Sequence, residues 1–139
     1  MDILCEKVKD LARSTGEYLK SEQPKLKKKD IELKGARDYV TYIDKEAENM
    51  LVKGLMEIFP NAGFLTEEET VDFEDKEYTW IIDPLDGTSN YVHGDTPFCV
   101  SIALKHNNDI VLGVVYDPIA DDMYSATSPK DVQLNNKPI

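Results

Sequence analysis

The chain has 139 residues, of which 41% are hydrophobic, and its 16 basic and 27 acidic side chains give a formal net charge of −11. We expect a single domain over residues 1–139, large enough to bury a core without disulfides. The acidic excess disfavours nucleic acid and anionic membranes as partners. Cys5 and Cys99 lie far apart in the sequence and lack the spacing of metal ligands, which predicts two reduced thiols in a cytoplasmic protein. The N-terminus is acidic and has no long apolar run, so it predicts neither a signal peptide nor a membrane span.

Two amphipathic helices are predicted in the first part of the chain. Residues 2–21 repeat apolar side chains at helical spacing. A stretch rich in lysine and containing a proline predicts a loop over residues 22–30. The second helix is expected to start near Thr41, with Asp38 or Thr41 as its N-cap, and to end at about Phe59.

Strands dominate the rest of the sequence. Short strands are predicted at residues 64–66 and 79–82, the second stopping at Asp83. Three closely spaced strands follow, at residues 98–104, 110–116 and 123–126, and their spacing favours an antiparallel meander. The tail from residue 134 to residue 139 shows no closing element. The order of elements predicts an α+β fold, with two N-terminal helices packed on a mainly antiparallel β-sheet.

The segment from Asp83 to Thr88 is the strongest candidate for chemistry. Pro84 biases the preceding residue towards an extended backbone, and Gly87 permits a tight turn. Such a turn can present the carboxylates of Asp83 and Asp86 to a cation and free backbone N–H groups to an anion. A metal-bound phosphate needs both at once. A plain surface turn is the alternative that this segment alone leaves open.

Two further acidic groups precede this segment. Glu67, Glu68 and Glu69 follow a predicted strand, where the first and third share one side. Asp44 and Glu48 lie four residues apart on the second helix and share one face. A solvated acidic turn and a pair of exposed helix carboxylates are the simpler interpretations of the two groups.

Two similar motifs can be excluded. A calcium-binding helix–loop–helix loop aligned on Gly87 would need acidic or amide residues where the sequence has Ile82 and Pro84. A phosphatase of the haloacid dehalogenase type would need its aspartyl nucleophile at Pro84, which cannot attack a phosphate. Covalent aspartyl-phosphate chemistry is therefore not expected.

Taken together, the ordered motifs resemble those of the inositol monophosphatase-like enzymes. The resemblance is carried by the signature Asp-Pro-Leu-Asp-Gly-Thr-Ser-Asn-Tyr-Val-His-Gly at residues 83–94, preceded by Trp-Ile-Ile. Residues 38–48, 64–68 and 97–104 match further elements of the family in the correct order. The resemblance covers essentially the whole chain and implies the N-terminal part of a layered αβαβα fold.

The resemblance also implies a metal site built from oxygen ligands. Glu67, Asp83 and the backbone carbonyl of Leu85 would bind a first Mg²⁺, and Asp83 and Asp86 would bind a second. The complete site in the family holds two or three such ions. Carboxylate and carbonyl oxygens suit Mg²⁺, which is a hard cation.

Catalytic roles follow from the same resemblance. Asp44 and Thr88, together with Glu67, would position or activate the attacking water, with Glu68 in a supporting role. The backbone N–H groups of Gly87 and Thr88 would hold the substrate phosphate. The implied reaction is hydrolysis of a small phosphate monoester, inositol monophosphate or a related sugar phosphate, and family members are commonly homodimers.

The sequence departs from the family in length. Family members carry, in a second half, a Trp-Asp pair whose carboxylate completes the second metal site, whereas the sole tryptophan here, Trp80, is followed by Ile81. We therefore expect residues 1–139 to be the N-terminal part of such an enzyme, completed by further sequence or by a partner chain. A 3′(2′),5′-bisphosphate nucleotidase, a fructose-1,6-bisphosphatase and a chain inactive without its second half are the alternatives.

Overall fold

The computed structural model describes residues 1–26 and 33–139, and in the second of these segments the side chains from Val40 onward. The helices and strands of the described residues follow in chain order. They are α1 (Asp2–Leu26), α2 (Leu33–Ile58), β1 (Gly63–Thr66), β2 (Tyr78–Asp86), α3 (Thr88–Val92), β3 (Cys99–His106), β4 (Asp109–Asp117), β5 (Asp122–Ala126), β6 (Val132–Leu134) and β7 (Lys137–Pro138).

In the described part of the chain, seven strands form one sheet whose spatial order is their order in the sequence. β1 pairs with β2 in parallel, and each later strand pairs with its predecessor in antiparallel fashion. The predicted α+β class, with two N-terminal helices on a mainly antiparallel sheet, is therefore confirmed.

The core lies between the two long helices and one face of the sheet. One row of side chains crosses four strands, because Phe64 pairs with Trp80, Trp80 with Leu104 and Leu104 with Leu112, and all four are buried. Each large apolar side chain that is fully buried contributes about 1.5–3 kcal/mol to stability. From the helices, fully buried side chains such as Leu19 of α1 and Ile43, Leu51 and Leu55 of α2 complete this core.

The opposite face of the sheet carries apolar side chains that reach solvent. Leu65 on β1 is 45% exposed, Val115 on β4 37% and Tyr124 on β5 39%. Val115 and Tyr124 are register partners, so their side chains form part of one continuous surface. The sheet therefore has one covered face and one partly open face.

α1 continues through the segment that was expected to be a loop. The predicted end at residue 21 is wrong, since the helix runs to Leu26 with Pro24 inside it. Pro24 removes one backbone donor close to the helix end, where few hydrogen bonds are lost. Burial of Leu26 and a hydrogen bond from Gln23 Nε2 to the carbonyl of Tyr91 hold this last turn. The rest of the expected loop, residues 27–30, lies outside the described residues.

α2 begins earlier than its predicted start near Thr41. It starts at Leu33, so Asp38 and Thr41 lie inside the helix and neither is its N-cap. The residues between 33 and 41 include alanine, arginine and lysine, which favour helix, and a single glycine does not end it. None of the helices in the described residues has the length and apolar character that crossing a bilayer requires.

β2 passes through the Asp-Pro pair at which its end was predicted. It pairs regularly with β3 up to Asp83, and the pairing then shifts register before Asp86 pairs with Cys99. Proline cannot donate to a neighbouring strand but is tolerated at such an irregularity. Buried Pro84 therefore sits in a break of the ladder, and the strand ends three residues later than Asp83.

The tail forms a hairpin, contrary to the expectation that it has no closing element. β6 and β7 pair around Asn135 and Asn136, whose φ angles are 52° and 68°. Two central residues with positive φ make a tight hairpin turn whose twist matches that of the strands, and asparagine tolerates this conformation. The side chain of Asn135 also accepts a hydrogen bond from the Met123 backbone at 2.8 Å.

Candidate active site

The residues predicted to form the site come from three neighbouring parts of the fold. Asp44 lies in the middle of α2, Glu67 follows β1, and the others lie where β2 turns into α3. These last residues are Asp83, Leu85, Asp86, Gly87 and Thr88. Because β1 and β2 are parallel neighbours, their carboxyl ends lie at the same edge of the sheet.

Asp44 is a buried carboxyl group with other acids around it. The residue is only 8% exposed to solvent. Burial and, after it, the charges of Glu68, Asp83 and Glu48 together raise the pKa of Asp44 to about 7. The interpretation of Asp44 and Glu48 as exposed helix carboxylates is therefore wrong.

Glu48 is fully buried and holds the loop after β1. Its Oε1 accepts a hydrogen bond from the backbone N–H of Glu68 at 2.8 Å, and its Oε2 accepts one from Thr70 at 2.8 Å. The sequence placed Glu48 on the same helix face as Asp44 but gave no signal for this role. Backbone N–H partners depend on the path of the loop, which a side-chain pattern does not encode.

The loop glutamates differ from one another. Glu67 and Glu69 are exposed, whereas Glu68 is half-buried. Burial raises the pKa of Glu68, the charges of Glu48 and Glu67 raise it further, and Lys45 lowers it. Among the loop carboxylates, it is the charge of Glu68 that raises the pKa of Asp44. A purely solvated acidic turn does not describe this loop.

Asp83 lies close enough to Asp44, to the glutamates after β1 and to Asp86 for their charges to interact. Burial raises its pKa first, a hydrogen bond from the Leu85 backbone N–H at 3.3 Å lowers it, and the charges of Asp86, Glu67 and Glu68 raise it. Asp86 is exposed, and its Oδ2 lies 3.8 Å from the sulfur of Cys99.

Cys99 is the thiol that lies beside this acidic group. Burial and, after it, the charges of Asp86 and Asp83 help raise its pKa to about 11. Cysteine attacks as the thiolate, so a raised pKa keeps it unreactive at neutral pH. Cys99 is therefore not suited to be a nucleophile.

The turn into α3 requires a glycine. Gly87 has φ of 93°, and a Cβ at this position would lie 2.8 Å from the backbone oxygen of Pro97. α3 starts at Thr88, whose Oγ1 donates a hydrogen bond to the carbonyl of Leu85 at 3.2 Å. The side chain of Asn90 donates to the same Pro97 oxygen at 2.9 Å, which fixes the following segment against the turn.

Comparison with known proteins decides the family. The model of the inositol monophosphatase family matches residues 4–139. The chain belongs to the inositol monophosphatase family. An inositol-1-monophosphatase from Mesorhizobium japonicum is 38% identical over 127 residues, which cover 91% of this chain and 48% of that protein.

Two further members of the inositol monophosphatase family give the same result. A protein from Aquifex aeolicus named fructose-1,6-bisphosphatase/inositol-1-monophosphatase is 37% identical over 134 residues, covering 96% of this chain and 51% of that one. The solved inositol monophosphatase from Anabaena superposes with a TM-score of 0.82 at 31% identity, over 99% of this chain and 49% of that chain. The chain spans about half the length of the relatives it matches.

In the described part of this family member the acids lie close enough for their charges to act on one another, but they do not converge on one metal position. In the described residues, no three His, Cys, Asp or Glu side chains converge as metal ligands. The carboxyl groups of Asp44, Glu68 and Asp83 nevertheless all have raised pKa values, caused first by burial and then by the charges of other acids in this group. A divalent cation would relieve this repulsion, so the chemistry of the donor set fits Mg²⁺. The assignment of Glu67, Leu85 and Asp86 as ligands stays a prediction.

Proposed function

We propose that residues 1–139 form the N-terminal half of a Mg²⁺-dependent phosphatase that hydrolyses a small phosphate monoester, inositol monophosphate or a related sugar phosphate. The observation that carries this proposal is the burial of Asp44 among the charges of Glu68 and Asp83. Buried like charges are costly unless a cation is shared. Family membership supplies the reaction class that uses such a cation.

In this proposal Mg²⁺ is held by Glu67, Asp83, Asp86 and the carbonyl of Leu85. Bound Mg²⁺ would supply positive charge that lowers the pKa of a water molecule and offsets the charge of the phosphate. Asp83 lies centrally in this set, since the charges of both Glu67 and Asp86 act on it. Its hydrogen bond from the Leu85 N–H fixes the carboxylate relative to the turn.

The remaining residues act on water and phosphate. Asp44 would accept the proton of the attacking water, together with Glu67, because a carboxylate beside that water can act as a general base. Thr88 would align that water through its hydroxyl, which the carbonyl of Leu85 orients by accepting its hydrogen bond. The backbone N–H groups of Gly87 and Thr88 would bind phosphate oxygens, because the left-handed conformation of Gly87 shapes the turn around them.

The second half of the family's fold would complete the site. We infer that full activity requires this half, from further sequence or from a partner chain. Fructose-1,6-bisphosphatase activity is the alternative with a specific observation in its favour, since the Aquifex relative carries both names. The free cysteines, Cys5 and Cys99, fit the reducing cytoplasm, and a homodimer stays a prediction.

The proposal is tested by phosphate release from inositol 1-phosphate in MgCl₂, with the chain alone and with the C-terminal half of the Anabaena enzyme added. Asp83→Asn should lower the rate by more than about a hundredfold, because even residues that only support metal ligands often cost tenfold to a hundredfold. Asp109→Asn is the matched control, since Asp109 is an exposed carboxylate at the start of β4.

Four outcomes distinguish the proposed site and substrate from their alternatives. Turnover that needs Mg²⁺ and vanishes in Asp83→Asn supports the proposed site. Turnover only after the C-terminal half is added supports the view that residues 1–139 are inactive alone. An unchanged rate in Asp83→Asn, or a faster release from fructose 1,6-bisphosphate than from inositol 1-phosphate, contradicts the assigned site or the assigned substrate respectively.

A further inference from the structure

Glu48 makes contacts that neither the proposed metal site nor the proposed proton transfer uses. It lies one helical turn after Asp44 on α2, its residue is 0% exposed, and both of its oxygens are occupied. Oε1 accepts from the backbone N–H of Glu68 and Oε2 from that of Thr70, each at 2.8 Å. One carboxylate therefore ties the middle of a long helix to the loop that follows β1.

The loop is shaped to receive a carboxylate. Glu69, between the two donors, has φ of 54°, a left-handed conformation that residues other than glycine rarely adopt. A turn that contains such a residue can aim nearby N–H groups into one concavity, which binds anions in many proteins. Here the N–H groups of residues 68 and 70 meet an anion that belongs to the chain itself.

The negative charge of Glu48 repels the neighbouring acids. The charge of Glu48 raises the pKa values of both Asp44 and Glu68. A fully buried carboxylate is tolerated only when its oxygens are hydrogen-bonded, and the two backbone N–H groups meet this requirement. A buried apolar side chain would avoid the repulsion but would leave those N–H groups without these acceptors.

We propose that Glu48 is a positioning residue for the metal site: it fixes the loop backbone so that Glu67 and Glu68 stay within reach of Asp83. The inference rests on the proposed function, because it assumes that Glu67 and Asp83 bind Mg²⁺. Glu48 itself does not contact the metal or the substrate. It acts through the backbone of residues 68 and 70, which carry the adjacent side chains.

The test compares Glu48→Gln with the wild-type chain. Glutamine keeps the size of the side chain but offers a single acceptor oxygen, so one backbone N–H loses its partner. Mn²⁺ serves as the probe, because it binds the same oxygen ligands as Mg²⁺ and its free form is measured by electron paramagnetic resonance. Glu48→Gln should weaken Mn²⁺ binding about tenfold to a hundredfold, as loss of other groups that orient ligands does.

A second readout needs no metal. Amide hydrogen exchange at residues 68 and 70, measured by NMR in the presence of a chelator, should accelerate in Glu48→Gln. Val52→Ala is the matched control, because Val52 is buried one turn further along the same helix and belongs to the apolar core. It should lower overall stability while changing Mn²⁺ affinity less than about twofold.

Glu48→Asp keeps the test available if Glu48→Gln does not fold. Aspartate keeps both oxygens but withdraws them by one methylene, so its Mn²⁺ affinity should fall several-fold below that of Val52→Ala. If the wild-type chain binds Mn²⁺ and the folded Glu48 variant binds it as Val52→Ala does, the positioning role is overturned and the proposed function stands. If the wild-type chain binds no Mn²⁺, either alone or with the C-terminal half of the Anabaena enzyme added, the proposed function itself is contradicted and the positioning role falls with it.

Discussion

At the scale of single residues, Asp44 couples the site to pH. Its pKa in the folded chain is raised to about 7, whereas an aspartate in an unfolded chain titrates near about 4. The folded state therefore binds the proton more tightly than the unfolded state does. The free energy of unfolding is expected to fall as the pH rises from about 4 to about 7, where the folded carboxyl group loses its proton.

Asp44→Asn should remove this dependence. A neutral amide is not repelled by Glu68 and Asp83, so the variant should gain stability relative to the wild type at pH 8 and much less at pH 4. Urea unfolding at both pH values in the presence of a chelator measures the two differences. Equal differences at pH 4 and pH 8 would mean that the charge of Asp44 does not matter to the fold.

Part of the candidate site could be proposed from individual residues. Asp44, Asp83 and Gly87 were singled out by residue type and spacing, the resemblance to the family implied their roles, and the structure places them on α2, on β2 and directly before α3. Those roles stay predictions. The contribution of Glu68 to the surroundings of Asp44 could not be predicted, because alternation along a strand stops where β1 ends at Thr66. From that point the backbone follows hydrogen bonds to Glu48, which lies far away in the sequence.

At the scale of elements, the turn between β2 and α3 depends on a single glycine. Gly87→Ala would add a Cβ at a left-handed φ and within 2.8 Å of the Pro97 oxygen, which belongs to the backbone and cannot move aside cheaply. We expect a loss of about 2 kcal/mol in the free energy of unfolding, from backbone strain and the contact together. Thermal or urea unfolding of the variant measures it.

Gly113→Ala is the control for this substitution. Gly113 lies in the middle of β4, its φ is not in the left-handed region, and a Cβ there would meet nothing within 4 Å. Alanine should therefore be neutral or slightly stabilising, because glycine weakens the interior of a strand. If the two glycine variants lose the same stability, the turn is not specially constrained.

Element boundaries were the part of the fold that the sequence predicted least well. Pro24 and Pro84 predicted the end of a helix and the end of a strand. In both cases the element continues past the proline, because tertiary contacts outweigh this local preference. The hairpin at Asn135 and Asn136 was missed for a different reason. Its strands are very short, so they show no periodicity, and only the tolerance of asparagine for positive φ marks the turn.

At the scale of the whole molecule, the charge of −11 opposes compaction, and the acids of the candidate site are part of it. A cation bound in the folded state alone should stabilise the chain, by about 1.4 kcal/mol when free Mg²⁺ exceeds its dissociation constant tenfold. MgCl₂ should therefore raise the melting temperature more than NaCl does at equal ionic strength. In Asp83→Asn the two salts should act alike.

A general screening effect would give another result. If NaCl and MgCl₂ raise the melting temperature of the wild type equally, the divalent cation is not bound at a specific site. If MgCl₂ keeps its advantage in Asp83→Asn, the cation is bound elsewhere on the acidic surface. Differential scanning fluorimetry at pH 8 distinguishes these cases, since the site carboxyl groups with raised pKa values are most fully ionised there.

The order of the strands has a consequence for how the chain folds. Because spatial order follows chain order, each strand that leaves the ribosome can pair at once with the strand made just before it. Such sequential pairing keeps sheet contacts short in sequence, which favours fast folding. α1 is synthesised before the strands, and besides α2 it packs on β3 and β4, so it can dock fully only after those two strands have formed. Until then the part of the apolar surface of α1 that α2 does not cover stays in water, and the nascent chain is most prone to aggregation during that interval.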